Sequence, residues 1–442
     1  MFDFKINRLK HQSIIAVFFA LVATINAAPS FAVTDPVVLT FSTVGDSRQD
    51  PEKPDSTVKQ TVFPPMGCPV PSGTGLTATN PGLPGQDCKW LQNTKDWSRI
   101  MRAIQSQKAN LLFFNGDMIM GYGKADVPVI RTSNGVGESP LTSPTVDQIV
   151  NSDLMQFYQQ YGFWHGMIAT LMETGTYVVP VPGNHETQCK RCAKKAQQVN
   201  ENAWRDNMGD LILDTTRFNS LLGTAPQNFD VINAPSLASD GLATDQKQLS
   251  YSFDVGASHF VVINTDPVGN DSHAPTNWLE TDLSAAVGRG TKRIFVFGHK
   301  PAFYYMYSGA VPTDATSSLD GAPANVPAAQ AFWNVIAKYK ATYFCGHEHI
   351  YKIDKFFSFD GNNNSAYQVL VGTGGSPFEA KAPSGTAYDS LHPNDRTYAW
   401  ATVKIFQSGK VVMDTYGYLP TLNPNLPPNP IVKLETIQLP TW

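Results

Sequence analysis

The stretch Tyr177-Val178-Val179-Pro180-Val181-Pro182-Gly183-Asn184-His185-Glu186 is an apolar run that stops at a glycine and passes directly into metal-ligating residue types. Short runs rich in β-branched and aromatic residues read as buried strands. Glycine at a strand end permits a sharp turn or a close backbone approach. The arrangement recurs in Val37–Val44 before Gly45-Asp46-Ser47-Arg48, and in Leu111–Asn115 before Gly116-Asp117. It recurs again in residues 294–297 before Gly298-His299, and in Thr342–Cys345 before Gly346-His347-Glu348-His349. Strand ends bearing Asp, Asn and His can gather at one edge of a sheet and build a polynuclear metal site.

Helical patterns lie between these strands. Trp97, Ile100, Met101 and Ile104 follow i, i+3, i+4, i+7 spacing, as do Phe157, Tyr161, Trp164, Ile168, Leu171 and Met172, with Gly175 as the stop. Trp278, Leu279 and Leu283 predict a third helix, and Phe332, Trp333, Ile336 and Tyr339 a fourth. Alternating strand and helix indicate an α/β domain. Residues 249–254 and 259–264, joined through Gly256-Ala257, read as a hairpin, and 398–406 with 411–416 as another. With the strand-like run 367–371, these predict a second sheet packed on the first. Residues 63–87, 121–148 and 307–327 are rich in Pro, Gly, Thr and Ser and read as long loops.

The 442 residues, 42% hydrophobic, are enough for a large core. Residues 1–32 read as an export leader: Lys5, Arg8 and Lys10 precede the apolar stretch 14–25, and Ser30-Phe31-Ala32 is a small-x-small cleavage site. The apolar stretch is too short to span a bilayer. Removing the leader makes the chain more acidic than its net charge of -4, which gives no electrostatic reason to bind nucleic acid. Export to the periplasm or beyond permits disulfides. Cys68–Cys88 and a local Cys189–Cys192 clip are the preferred pairs, with Cys345 a buried thiol. Zinc at Cys189-x-x-Cys192 is disfavoured because no further Cys or His flanks it.

Of the nine histidines, four follow these glycines, at 185, 299, 347 and 349. In this order the motifs resemble those of the calcineurin-like metallophosphoesterases, and among them the purple acid phosphatase branch. The resemblance covers about residues 37–375, and Gly183-Asn184-His185-Glu186 with Gly346-His347-Glu348-His349 is its most specific part. It implies a four-layer αββα sandwich, two mixed sheets flanked by helices, with the metal site at the C-terminal ends of the strands. The expected organisation is a signal peptide at 1–32, a catalytic domain at 33–419 and a Pro-rich extension at 420–442, with strand-like residues 431–439 near its end lying extended over the domain surface.

The resemblance implies two divalent or trivalent ions, of iron, zinc or manganese, and these suit a mixed nitrogen and oxygen donor set. Asp117 would bridge them, Asn184, His299 and His347 would complete one shell, and Asp46 and His349 would serve the other. A metal-activated hydroxide would attack phosphorus. His185 would stabilise or protonate the leaving alkoxide, and Glu186 would orient His185 or its loop. Two positions depart from the pattern. Arg48 stands where relatives keep a ligand or a glycine, and Met120 stands where purple acid phosphatases place a metal-binding tyrosine; the nearest tyrosine is Tyr122. Arg48 cannot donate to a metal. Its two readings are a clamp on a substrate phosphate oxygen, which is preferred, and an internal salt bridge with a carboxylate.

The expected activity is hydrolysis of small phosphate monoesters by an exported enzyme, without nucleic acid, membrane or obligate protein partner. A phosphodiesterase on the same scaffold, or a phosphate- or metal-binding protein that has lost catalysis, are the alternatives.

Overall fold

Phe113 and Phe114 are neighbours in one strand and face opposite layers, as period-two side-chain alternation requires. Phe113 stacks on Phe297 with ring centroids 3.7 Å apart, whereas Phe114 meets Trp97 at 4.9 Å and Trp164 at 5.5 Å. The computed structural model describes residues 35–48, 83–130, 139–303, 318–321, 324–376, 397–419 and 427–442, and the side chains of the first helix from Thr94 onward. The chain divides into Met1–Pro36, of which only residues 35 and 36 are described, and Val37–Trp442. The sheets and their flanking helices all belong to the second unit.

The larger strands are β1 (Val37–Val44), β2 (Leu111–Asn115), β3 (Tyr177–Val181), β4 (Tyr251–Val255), β5 (Ser258–Val262) and β6 (Arg293–Phe297). They continue with β7 (Thr342–Cys345), β8 (Tyr351–Phe357), β9 (Ser365–Val371), β10 (Tyr398–Phe406), β11 (Val411–Tyr418) and β12 (Val432–Gln438). They form two 6-stranded sheets, ordered β12-β11-β10-β1-β2-β3 and β8-β9-β7-β6-β5-β4. In the first, β1, β2 and β3 are parallel and β10, β11 and β12 antiparallel. In the second, β5, β6, β7 and β9 are parallel, with antiparallel β4 and β8 at the edges.

A phenylalanine cluster fills the space between the sheets. The Phe41 ring of β1 meets Phe260, Phe295, Phe297 and Phe344 of the second sheet, all edge-on at 4.9–5.9 Å. Each such buried ring contributes on the order of 1.5–3 kcal/mol. Among the described residues, the longest helices flanking the pair are α1 (Leu83–Ser106), α2 (Asp153–Glu173), α3 (Thr276–Gly288) and α4 (Val326–Lys338). α2 starts where Ser152 Oγ accepts the Met155 N–H. It buries Phe157, Tyr161, Trp164, Ile168 and Leu171 along one stripe and stops before Gly175, whose φ is +102°. Trp278, Leu279, Phe332 and Trp333 of α3 and α4 pack on the outward residues Val261, Ile294, Val296 and Tyr343 of the second sheet. The layers are therefore helix, sheet, sheet, helix, as expected.

Several details differ from the sequence expectation. The ligand-bearing strand ends divide between the sheets, three in the first and two in the second. Of the segments expected to form a second sheet of their own, the hairpin at 251–262 and the strand at 365–371 do lie in the second sheet, beside β6 and β7. The hairpin at 398–418 instead pairs with β1, where Ser42 and Thr402 hydroxyls hydrogen-bond at 2.9 Å. α1 begins at Leu83, inside the stretch read as loop. The strand-like segment of the Pro-rich tail is β12, which pairs with β11 and completes the first sheet. Cys189 and Cys192 form a disulfide and Cys345 is a buried free thiol. Cys68, the Cys88 side chain and most of the loops 63–87 and 307–327 lie outside the described residues. Among the described residues, no helix is long and apolar enough to cross a membrane.

Candidate metal centre

Parallel strands share one direction, so the turns after β1, β2 and β3 emerge at a common edge, where those after β6 and β7 meet them. Hydrogen bonds lace the two sheets together there: Gly45 N–H to Val371 O at 2.9 Å, and the His299 Nδ1–H to Asn115 O at 2.6 Å. The glycines are set by crowding. Gly116 has a φ of +81°, and a Cβ on it would lie 2.5 Å from His299 Nδ1. A Cβ on Gly183 would lie 2.5 Å from the Asp117 nitrogen. Asp46, Asp117 and His347 also adopt positive φ, at 63°, 55° and 72°. Such conformations cost of order 1–3 kcal/mol each and concentrate at functional sites.

Two groups of donors converge, and Asp117 belongs to both: Asp117, His299 and His347 form one, and Asp46, Asp117 and His349 the other. In each, one donor atom per residue lies within 4.8 Å of the rest, so either group could hold a metal ion. In the first, His299 Nε2 is 3.1 Å from Asp117 Oδ1 and 3.2 Å from His347 Nδ1. Asn184 Oδ1 joins it, 2.9 Å from His299 Nε2 and 2.8 Å from His347 Nδ1. Because His299 Nδ1 donates to Asn115 O, its Nε2 is the nitrogen turned to the other donors, as a metal-binding histidine requires. This set of two imidazoles, one carboxylate and one amide oxygen fits a transition-metal ion or zinc. In the second group, His349 Nε2 is 3.4 Å from Asp46 Oδ1, and Asp46 is held by the His347 N–H at 3.0 Å.

His185 stands beside Asp117, with Nε2 3.6 Å from Oδ2. Its Nδ1–H donates to the Met120 carbonyl, and its ring lies against Tyr122 with centroids 3.7 Å apart. The Tyr122 hydroxyl accepts from the Asn184 amide nitrogen, which turns Asn184 Oδ1 toward the histidines. Glu186 touches none of the imidazoles through a hydrogen bond. Its Oε2 accepts the N–H groups of Asp117 and Gly183 at 2.9 and 2.8 Å, and its Oε1 those of Met118 and Ile119 at 2.8 and 3.1 Å. It therefore orients the loop rather than His185.

Arg48 is turned into the site and only 8% exposed. Its Nε lies 3.3 Å from Asp117 Oδ2, its Nη2 3.2 Å from His349 Nε2, and its Nη1 3.7 Å from Met120 Sδ. The internal salt bridge of the sequence reading is present, and its carboxylate is Asp117. The two departures from the motif pattern thus touch each other.

The electrostatics follow from burial and crowding. Burial works against the Asp117 charge, yet His185, His299 and Arg48 hold its carboxyl well below the usual range. Burial pushes His347 and His185 well below an ordinary histidine, which favours the neutral imidazole that can donate a lone pair. Burial also acts to lower His299, but the charge of Asp117 prevails and raises it to about 9, so metal and proton compete for that nitrogen. Burial, followed by the Asp117 charge, pushes Glu186 up to about 7.

Every candidate residue from the sequence reaches this edge: Asp46, Arg48, Asp117, Asn184, His185, His299, His347 and His349. The part of Tyr122 was not foreseen, nor was the buried pair behind the site, where Lys300 Nζ meets Asp266 Oδ1 at 2.6 Å and Ser272 Oγ at 2.8 Å. Lys300 directly follows His299, and that adjacency is the only sequence signal for it. Of the remaining described histidines, His165 bonds the Asn207 carbonyl, His259 sits between Asp254 and Asp282, and His273 donates its backbone N–H to the Thr265 carbonyl.

Comparison with known protein families finds no match, nor does comparison with curated proteins. Among solved structures, the purple acid phosphatase PPD1 of yellow lupin (Lupinus luteus) seeds is similar over 86% of this chain, with 13% identity and a TM-score of 0.45. This chain spans 52% of the lupin protein, about half its length. A dimetal phosphatase from Danio rerio is similar over 86% of this chain and 96% of its own, with 12% identity and a TM-score of 0.41. PhoD is similar over 91% of this chain and 70% of its own, with 13% identity and a TM-score of 0.44.

Proposed function

We propose that this chain is an exported, metal-dependent phosphoesterase that hydrolyses small phosphate monoesters at the edge shared by the two sheets. The observation that carries this reading is the convergence of two cation positions on one carboxylate, Asp117, with the His185 imidazole 3.6 Å away. Asp117, Asn184, His299 and His347 would hold one metal ion, and Asp46, Asp117 and His349 define the neighbouring position. When bound, a metal ion supplies Lewis acidity that withdraws charge from phosphoryl oxygens and acidifies water.

The chain's own groups do the remaining work. Asp117 would serve the first position through Oδ1, which faces His299 Nε2, while its Oδ2 faces Arg48 and His185. Asn184, held by Tyr122, presents its amide oxygen in one orientation. His185 is anchored through Nδ1 on the Met120 carbonyl, which leaves Nε2 to face the departing oxygen and to hold or deliver a proton there. Glu186 fixes the backbone from which Asp117 projects. The leader at 1–32 and the Cys189–Cys192 disulfide support export to an oxidising compartment. In this reading residues 33–419 are the catalytic domain and 420–442 an extension that returns to it as β12.

The test is an assay of the leader-free chain on an aryl phosphate monoester and an aryl phosphate diester, with metal analysis of the same sample. Turnover of the monoester in excess of the diester is expected. A diester preference would shift the assignment to phosphodiesterase. Absence of turnover with zinc, manganese or iron restored would remove the enzyme reading.

A further inference from the structure

Asp117 divides its two oxygens between two kinds of partner. Oδ1 faces His299 Nε2 at 3.1 Å and accepts the His185 backbone N–H at 3.1 Å, on the side where Asn184 Oδ1 also meets His299. Oδ2 faces the Arg48 guanidinium at 3.3 Å. Arg48 has only N–H donors and stays protonated, so at the 3.2 Å contact between its Nη2 and His349 Nε2 the arginine donates and the histidine accepts. That contact uses the lone pair through which His349 would bind a metal. A metal ion sits about 2.0–2.2 Å from nitrogen and oxygen ligands. Placed on these same two atoms, it would press against the guanidinium, with like charges in contact.

Met120 completes the arrangement. A tyrosinate there would bring a second anion and another metal ligand. The methionine instead brings a neutral, weakly accepting sulfur, 3.7 Å from Arg48 Nη1. Loss of the anionic ligand and gain of the cation act in the same direction: the position loses a group that would hold a metal ion and gains a positive charge that opposes one. The guanidinium is 8% exposed and is met by Asp117, His349 and Met120. It is built into the site and does not wait at its rim.

We infer that Arg48 is the second cation of this centre: the Asp46–Asp117–His349 position is filled by the guanidinium, and the chain binds one metal ion, at Asp117, Asn184, His299 and His347. The inference rests on the phosphoesterase reading only for the purpose of the site, because it concerns metal stoichiometry. Chemically, a guanidinium can hydrogen-bond phosphoryl oxygens through its planar fork and offset their charge. It cannot exchange ligands or acidify water as a metal does. Those tasks fall to the single ion.

The test is metal stoichiometry on the leader-free chain. Metal-stripped protein is titrated with Mn2+ by calorimetry, and the Mn2+-loaded sample is read by electron paramagnetic resonance. The wild type is expected to bind one ion per chain with an uncoupled Mn2+ signal. Any second ion should bind at least about 100-fold more weakly, beyond the 10–100-fold that neighbouring groups alone produce. Arg48→Ala should take up a second ion and acquire the signal of an exchange-coupled pair, whereas Arg48→Lys, which keeps a cation, should stay at one. Two ions of comparable affinity in the wild type would overturn the inference, and that measurement needs no variant to fold. So would Arg48→Ala remaining at one ion while its melting temperature matches the wild type. If stoichiometry follows expectation but neither phosphate ester is hydrolysed, the phosphoesterase reading fails and this one stands.

Discussion

Glu186 Oε2 accepts the backbone N–H of Asp117 at 2.9 Å, so the carboxylate shared by both cation positions is held in place by a second, buried carboxylate. Glu186→Ala would strip the N–H groups of residues 117, 118, 119 and 183 of their common acceptor. Each buried polar group left unpaired costs about 1–3 kcal/mol. A clear fall in melting temperature and weaker metal binding are expected, with Glu186→Gln intermediate because it keeps one acceptor oxygen. Calorimetric melting beside metal titration decides this. An unchanged metal affinity in Glu186→Ala would refute the positioning role.

Asn184→Ala and His347→Ala should each lower metal affinity by at least about tenfold, as even outer-shell losses do. Turnover should fall in proportion to metal occupancy. Elemental analysis of protein dialysed against a fixed metal concentration reads the first effect. Full occupancy in both variants would remove these residues from the metal set.

His185→Ala should leave metal content intact and slow hydrolysis of an alkyl phosphate by about 10²–10⁴-fold, the range for a lost general acid. An aryl phosphate with an acidic leaving group should be affected much less. Equal rates for wild type and variant on the alkyl ester would rule out proton delivery by His185.

Much of this was legible in the sequence because strand ends are local. Val178-Val179 before Gly183-Asn184-His185 announces a buried strand and the ligands at its end, and parallel packing then forces such ends to one edge. Period-two alternation likewise separates Phe113 from Phe114. The illegible part depends on contacts between distant segments. Nothing near Arg48 shows that its guanidinium meets His349, which lies 301 positions away. Glu186 is adjacent to His185 in sequence, yet its hydrogen bonds go to residues 117–119, because a one-turn helix points it across the sheet. The strand-like residues 431–439 of the Pro-rich tail were legible but their pairing was not, since it is decided by the exposed edge of β11 and not by the composition of the tail.

Far from the site, His259 is buried between Asp254 and Asp282, with contacts of 2.5 and 2.8 Å. Burial acts to lower its pKa, but the two carboxylates prevail and raise it. A raised folded pKa means that its stabilisation is fully present below the unfolded value of about 6.5 and is lost as pH rises through the folded value. The depressed pKa of Asp254 sets the acid limit, as its stabilisation is lost when pH falls through that lowered value. His259→Gln leaves Asp282 without its cation and Asp254 with Arg289 alone, 3.0 Å away, and should cost about 3–5 kcal/mol near pH 5.5. The melting-temperature gap to the wild type should narrow by pH 9. A gap independent of pH would contradict a charged His259.

The pairing of β1 with β10 has a consequence for how the centre is assembled. Asp46 leaves β1, and that strand is bounded on one side by β2 and on the other by β10, with Ser42 and Thr402 separated by 360 positions. All the candidate ligands are synthesised by residue 349, but the strand carrying the first of them gains its second neighbour only after residue 398. Pairings this distant in sequence form slowly. A growing chain therefore holds a complete set of donors before it holds a geometry for them, and metal capture becomes a late event, after the first sheet has closed.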